Sequence, residues 1–208
     1  EEIYAKEPVL KVKGLKTYFP LEKNILGKVT KVVKAVDDVT FNVYPGETLG
    51  LVGESGCGKT TLGRTILRLV NNNGGQIIYK GIDLGTLSTK ELRNYRKDMQ
   101  IVFQDPYSSL NPRLTVGEAI MEPMRVHNIL GSEEEQMNRV VELLVRVNMG
   151  KEHFYRYPHE FSGGQRQRIC IARSLALNPQ FIICDESVSA LDVSVQAQVL
   201  NLLNELRD

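Results

Sequence analysis

The sequence predicts an α/β fold, on three observations. The run Gly53-Glu54-Ser55-Gly56-Cys57-Gly58-Lys59-Thr60 fits the pattern G-x-x-x-x-G-K-[ST]. Residues 48–52 before it read as a short buried strand, and residues 61–69 after it read as a helix. A second apolar run, Phe181-Ile182-Ile183-Cys184, has the length and continuity of a central parallel strand and ends on Asp185-Glu186.

In chain order, residues 9–19 alternate in part and read as a strand, and residues 20–31, with their glycine and charge, read as a loop. Residues 32–43 form another strand, closed by the turn Tyr44-Pro45-Gly46-Glu47. After the polar Asn71-Asn72-Asn73, the stretch Gly74-Gly75-Gln76-Ile77-Ile78-Tyr79 is a further strand, so an antiparallel sheet is expected beside the phosphate-loop core. Met99-Gln100-Ile101-Val102-Phe103 is a strand ended by Gln104. The middle region is helical. Thr115-Val116-Gly117-Glu118 and Ser132-Glu133-Glu134-Glu135 both fit capping boxes. Met137, Val140, Val141, Leu144 and Val145 recur at helical spacing as a packed face, and Val195, Val199, Leu202, Leu203 and Leu206 do the same for a last helix.

A chain of 208 residues allows one domain, or a core carrying an inserted lobe. Apolar residues are 42% and charged residues 25%, as in ordinary globular proteins. The net charge of +1, with no Lys/Arg block interleaved with aromatics, argues for no nucleic-acid partner. Cys57, Cys170 and Cys184 make no C-x-x-C pair, so neither zinc nor a disulfide framework is indicated, and reduced thiols in the cytosol fit best. No apolar run has the length of a membrane span and no signal peptide is recognisable, so action at a membrane is expected to go through a partner. Starting without Met and ending inside an expected helix, the sequence reads as a trimmed fragment.

The chemistry sits at three places. Glycines of the 53–60 loop let backbone N–H groups turn inward and cradle phosphates, with Lys59 in reach of the β- and γ-phosphates and the Thr60 hydroxyl suited to Mg²⁺. Asp185 and Glu186 lie at the carboxyl end of a strand, where open α/β sheets bind ligands. There Asp185 would help hold Mg²⁺ and Glu186 has the position of a general base for water. Ser162-Gly163-Gly164-Gln165 joins a helix-capping serine to glycines that permit close approach of an anion.

The order phosphate loop, Ser-Gly-Gly-Gln, then Asp-Glu resembles the ATP-binding-cassette (ABC) ATPases over nearly the whole chain. The resemblance implies a P-loop NTPase fold with a RecA-like core, an antiparallel β subdomain and an inserted α-helical subdomain. It implies one nucleotide-binding domain over 1–208, C-terminally incomplete, with core and β lobe at about 1–104 and 172–208 and a helical lobe at about 105–171. The cofactors implied are ATP and Mg²⁺. ATP-binding positions carried over are Tyr18, Gly53, Glu54, Ser55, Gly56, Cys57, Gly58, Lys59, Thr60, Thr61, Gln104, Ser162, Gly163, Gly164 and Gln165. Catalytic positions are Glu186 and Gln104, and metal positions are Thr60, Gln104 and Asp185. Gln104 matches the Q-loop glutamine and Ser189-Ala190-Leu191-Asp192 the D-loop. Tyr18 stands where the family places an aromatic that stacks on adenine, Phe19 being the neighbouring candidate, although strand-end aromatics are often simply core.

A narrower likeness is to the ATPases of oligopeptide and dipeptide importers. It is carried by Asp105-Pro106-Tyr107-Ser108-Ser109-Leu110-Asn111-Pro112-Arg113, by Tyr157-Pro158-His159-Glu160-Phe161 ahead of the signature, and by Val188-Ser189-Ala190-Leu191-Asp192-Val193-Ser194. It implies ATP hydrolysis that drives peptide uptake from the cytoplasmic face of the membrane. The partners implied are transmembrane permease subunits, a second ABC ATPase in a homo- or heterodimer, and indirectly an extracytoplasmic substrate-binding protein. The alternatives are a soluble ABC-type ATPase with a regulatory or mechanical role, and an importer ATPase for nickel or glutathione. Phe161 stands in place of a leucine and Ser187 in place of a proline. The family's switch histidine lies beyond the D-loop, while His127, His153 and His159 all precede Asp185, which implies slow hydrolysis by this stretch alone.

Overall fold

The computed structural model describes residues 2–23 and 29–185, together with Asn201. The chain divides into two compact units, one up to Arg93 and one from Asn94 on.

In the first unit, strands β1 (Leu10–Lys23), β2 (Val29–Val43), β3 (Gly74–Tyr79) and β4 (Ile82–Asp83) form an antiparallel sheet in the order β2-β1-β3-β4. Leu10, Val12, Leu15, Ile77 and Tyr79 turn into the core and are fully buried or nearly so. Each such side chain contributes about 1.5–3 kcal/mol of hydrophobic stabilisation. Helix α1 (Lys59–Ile66) buries Leu62 and Ile66 in this unit. Thr17 of β1 and Thr65 of α1 share a buried hydroxyl–hydroxyl hydrogen bond of 3.1 Å.

In the second unit, β5 (Met99–Val102) pairs in parallel with β6 (Phe181–Cys184), Val102 opposite Cys184. Helices α4 (Val116–Val126), α5 (Glu133–Arg146) and α6 (Gly163–Leu175) pack a core that includes Ile120, Met124, Leu143, Leu144, Ile169 and Ile171. Helix α2 (Thr89–Tyr95) precedes β5, and the single turn α3 (Pro106–Ser109) follows it. Both expected capping boxes are formed, Thr115 with Glu118 and Ser132 with Glu135. No helix among the described residues is long and apolar enough to cross a membrane.

The structure departs from the sequence expectations at several places. Much of the expected loop 20–31 is ladder: Pro20 pairs with Val32, Glu22 with Lys31 and Lys23 with Val29. Beyond Lys16 strand β1 pairs with β2 only, so the ribbon has an open edge where Pro20 and charged side chains are tolerated. Residues 48–52 make no ladder among the described residues, and Leu49, Leu51 and Val52 are exposed. An apolar composition does not create a strand where the described residues offer it no partner. Helix α1 ends at Ile66 rather than residue 69, because Arg68 takes a left-handed φ of 54° and donates from its guanidinium to the Leu84 carbonyl at 2.9 Å. Phe181, Ile182 and Ile183 are half-buried rather than enclosed. On α5, Val145 faces solvent, since the buried stripe runs through Gln136, Val140, Leu143 and Leu144. The last expected helix, Glu186, Ser187 and the 189–192 segment lie outside the described residues, apart from Asn201.

Candidate nucleotide site

The loop before α1 is built by left-handed glycines. Gly56 has φ 80° and Gly58, the residue that caps α1, has φ 101°. A Cβ on Gly58 would sit 2.0 Å from the Ala35 carbonyl oxygen, so the loop lies directly against β2. Within it, the Cys57 N–H donates to the Glu54 carbonyl at 3.3 Å and the Leu62 N–H to the Gly58 carbonyl at 2.8 Å, which starts the helix.

Lys59 is the first residue of α1, and its side chain curls back beneath the loop. Its ammonium donates to the carbonyls of Gly53 at 2.8 Å and Glu54 at 2.9 Å, with the Cys57 sulfur 3.8 Å away. The N-terminal end of α1 has no side-chain cap and no acidic residue in its first turn. A loop of left-handed glycines, the positive end of a helix and a lysine therefore adjoin one another, a combination that attracts phosphate. Thr60 and Thr61 follow in the first turn; Thr61 also accepts the Thr65 hydroxyl on its carbonyl at 2.7 Å.

Tyr18 belongs to the same unit. Its N–H donates to the Asn73 side chain at 2.6 Å, and its neighbour Thr17 is the residue bonded to α1. The Tyr18 hydroxyl donates to Asp37 of β2, and the Lys34 ammonium stands 5.4 Å from the ring centroid. Sequence reasoning passed over Lys34, Asp37 and Asn73. Two adjacent aspartates inside a valine-rich strand were the available signal, but their reach depends on the slips in the β1/β2 register.

In the second unit the parallel pair delivers two expected residues to one edge. Gln104 follows β5 and is exposed, and Asp185 follows β6 and is buried, its N–H donating to the Val102 carbonyl at 2.9 Å. Ser162 caps α6 as expected: its hydroxyl accepts the Gln165 N–H at 3.3 Å while the Gln165 side chain accepts the Ser162 N–H at 3.1 Å. Phe161, in place of leucine, is buried, with the His153 ring edge-on at 5.2 Å and the Arg156 guanidinium over its face at 4.8 Å. Helix α6 is tied to the turn after Gln104. Arg173 donates to the Ser109 carbonyl at 2.5 Å, and the Arg166 guanidinium lies 3.9 Å over the Tyr107 ring. Asp105 caps that turn by accepting the N–H groups of Tyr107 at 2.8 Å and Ser108 at 3.3 Å.

Residues 36–189, which include the loop, Gln104, Ser162 and Asp185, match the family model described as ABC transporter. The chain belongs to the ABC transporter family. It is 57% identical over 201 residues to the glutathione import ATP-binding protein GsiA of Escherichia coli (strain K12), and 57% identical to that of Salmonella typhi over the same length. These alignments cover 97% of this chain and 32% of each relative, so the chain spans about a third of their length. Its fold matches the post-hydrolysis dimeric structure of the ATP-binding cassette MJ0796 bound to ADP and phosphate, with TM-score 0.84, 29% identity, and 96% of this chain and 83% of that one covered. Cassette CbiO1 of Clostridium perfringens, part of the transporter complex CbiONQ, aligns with TM-score 0.78 and 27% identity over 97% of this chain and 74% of its own. The fold is thus the mixed α/β fold of the phosphate-loop NTPases.

Proposed function

We propose that this chain is the ATP-binding domain of an importer, and that it binds and hydrolyses ATP at the cytoplasmic face of a membrane. The observation that supports it most directly is the Lys59 ammonium held by two carbonyls of a glycine loop that leads straight into the N-terminal end of α1, which has no side-chain cap. In the proposal, Gly53 to Thr61 hold the phosphates, Tyr18 takes the adenine, and Ser162 to Gln165 serve the nucleotide of a partner cassette. Core and β lobe would span about 1–104 and 172–208, with the helical lobe at about 105–171.

The donor set suits Mg²⁺. In the proposal Thr60, Gln104 and Asp185 would each offer Mg²⁺ a hard oxygen ligand: a hydroxyl, an amide oxygen and a carboxylate. Mg²⁺ bound there would neutralise charge on the phosphates. Lys59 would exchange two loop carbonyls for phosphate oxygens, and Glu186 would take the proton of the attacking water.

As cargo we propose small peptides. The likeness to GsiA is compatible with that, because glutathione is itself a tripeptide. The partners would be permease subunits, a second cassette and, indirectly, an extracytoplasmic binding protein. Lys59→Ala tests the function: titration with a fluorescent ATP analogue should show affinity lost by about tenfold or more, the value of one or two charge-assisted hydrogen bonds. Unchanged affinity would remove Lys59, and the loop with it, from nucleotide binding.

A further inference from the structure

On strand β2, Lys34 and Asp37 stand on either side of Ala35, where the phosphate loop rests. Ala35 turns its carbonyl to the α-carbon of Gly58. Tyr18 pairs directly with Lys34 while Thr17 pairs with Val36, so the ladder slips by one residue beside that contact. The slip lets Asp37 reach Tyr18. One carboxylate oxygen accepts the Tyr18 hydroxyl, and the other accepts the Lys34 ammonium at 3.2 Å. The same ammonium stands over the ring. From the other side, Asn73 holds the Tyr18 N–H and Thr65 holds Thr17. A half-buried ring is therefore fixed at its backbone by Asn73, which precedes β3, and at its hydroxyl by Asp37 of β2, the strand that also seats the loop.

A tyrosine that only filled a strand end would gain little from this, because water satisfies an exposed phenol as well as a carboxylate does. A ring that must meet a flat base in one plane gains more, since its rotamer freedom is already restricted before the ligand arrives. Charge supports the contact. The Tyr18 hydroxyl is held above the ordinary phenol range chiefly by donating to Asp37, and the Asp37 carboxyl below the ordinary carboxylate range chiefly by accepting from Tyr18, then from Lys34.

We propose that Asp37, braced by Lys34, is a positioning residue for nucleotide recognition that holds the Tyr18 ring in the plane receiving the adenine. The proposal rests on the ATP-binding function above and on Tyr18 as its base platform.

The test compares two probes, Mg-ATP and inorganic tripolyphosphate with Mg²⁺, by titration calorimetry on the full chain. Asp37→Ala and Tyr18→Phe should each weaken Mg-ATP by about two- to tenfold, the range that one hydrogen bond supports, and leave tripolyphosphate unchanged. The double variant should lose no more than either alone. Asp37→Asn, which keeps an acceptor for the phenol, should recover part of the loss. Equal weakening of both probes would mean a merely structural role, and wild-type ATP binding by Asp37→Ala and Tyr18→Phe would end the positioning role. Tyr18→Ala separates the two levels. Base stacking is worth about 1–3 kcal/mol, so that variant should lose about fivefold or more. If it does while Asp37→Ala does not, only the positioning role fails; if it binds ATP normally, the base platform fails and the proposal with it. Should Asp37→Ala not fold, Tyr18→Phe carries the same comparison.

Discussion

Gly56 and Gly58 both adopt left-handed backbone, yet only one of them lacks room for a side chain. At Gly56 an added Cβ would meet nothing within 4 Å, whereas at Gly58 it would press on the Ala35 carbonyl at 2.0 Å. Backbone atoms cannot step aside as a flexible side chain can. Gly56→Ala should therefore cost only the conformational strain of an L-residue at positive φ, about 1–2 kcal/mol. Gly58→Ala should cost more, and it should also displace the start of α1 and abolish ATP binding. Urea unfolding and ATP titration of the two variants check this, and equal stabilities would show that the loop does not rest on β2. The loop itself was legible in the sequence because its chemistry is local: eight consecutive residues carry the glycines, the lysine and the hydroxyl. The grip on Tyr18 was not, because it joins residues on two strands through a slipped register.

At the scale of elements, local signals held where the chemistry is local and failed where neighbours decide. The capping boxes at Thr115, Ser132 and Ser162 formed as their spacing requires. The ladder at residues 20–23 and 29–31, the 48–52 stretch that finds no partner among the described residues, and the exposed Val145 were misjudged, because each depends on what lies alongside in space. Helix α4 shows the same conflict in one residue. Gly117 sits in its first turn, and a Cβ there would come within 2.5 Å of three atoms of the Phe154 ring. Alanine would gain about 1 kcal/mol of helix propensity. Overpacking costs about 1–3 kcal/mol, so Gly117→Ala should be net destabilising, and Phe154→Leu in the same chain should restore part of the loss. A stabilised single variant would contradict the tight contact.

The caps also predict an acid limb. The carboxyls of Asp105, Glu118 and Glu160 are held below the ordinary carboxylate range, in each case first by accepting a backbone N–H, from Tyr107, Thr115 and Tyr157 respectively. Because their folded values are depressed, their stabilisation is complete above the unfolded value near pH 4 and is lost as pH falls through the folded one. The thermal midpoint should stay level from about pH 7 to 5 and drop below about 4. Glu118→Gln should lie below the parent at neutral pH and converge with it in acid. A constant offset at every pH would show that the charge of Glu118 does not support its cap.

For the whole molecule, the relevant comparison is the dimeric cassette that shares its fold. The phosphate loop lies in one compact unit and Ser162 to Gln165 in the other. If each nucleotide is held by the loop of one copy and the Ser-Gly-Gly-Gln run of another, the two halves are separable by mutation. In a Glu186→Gln background, chosen to slow hydrolysis, the parent should form a dimer on adding Mg-ATP, seen by size-exclusion chromatography. Lys59→Ala should lack the loop half, and Ser162→Arg should block the other half while leaving the loop intact. Neither should trap nucleotide alone. Mixed in equal amounts, about half of random pairs join one of each kind, and one of the two sites in such a pair is whole. The mixture should then trap about a quarter of the nucleotide held by the parent. Full trapping by Ser162→Arg alone would show that the loop needs no second copy, and no recovery on mixing would show that the two halves do not meet across a dimer.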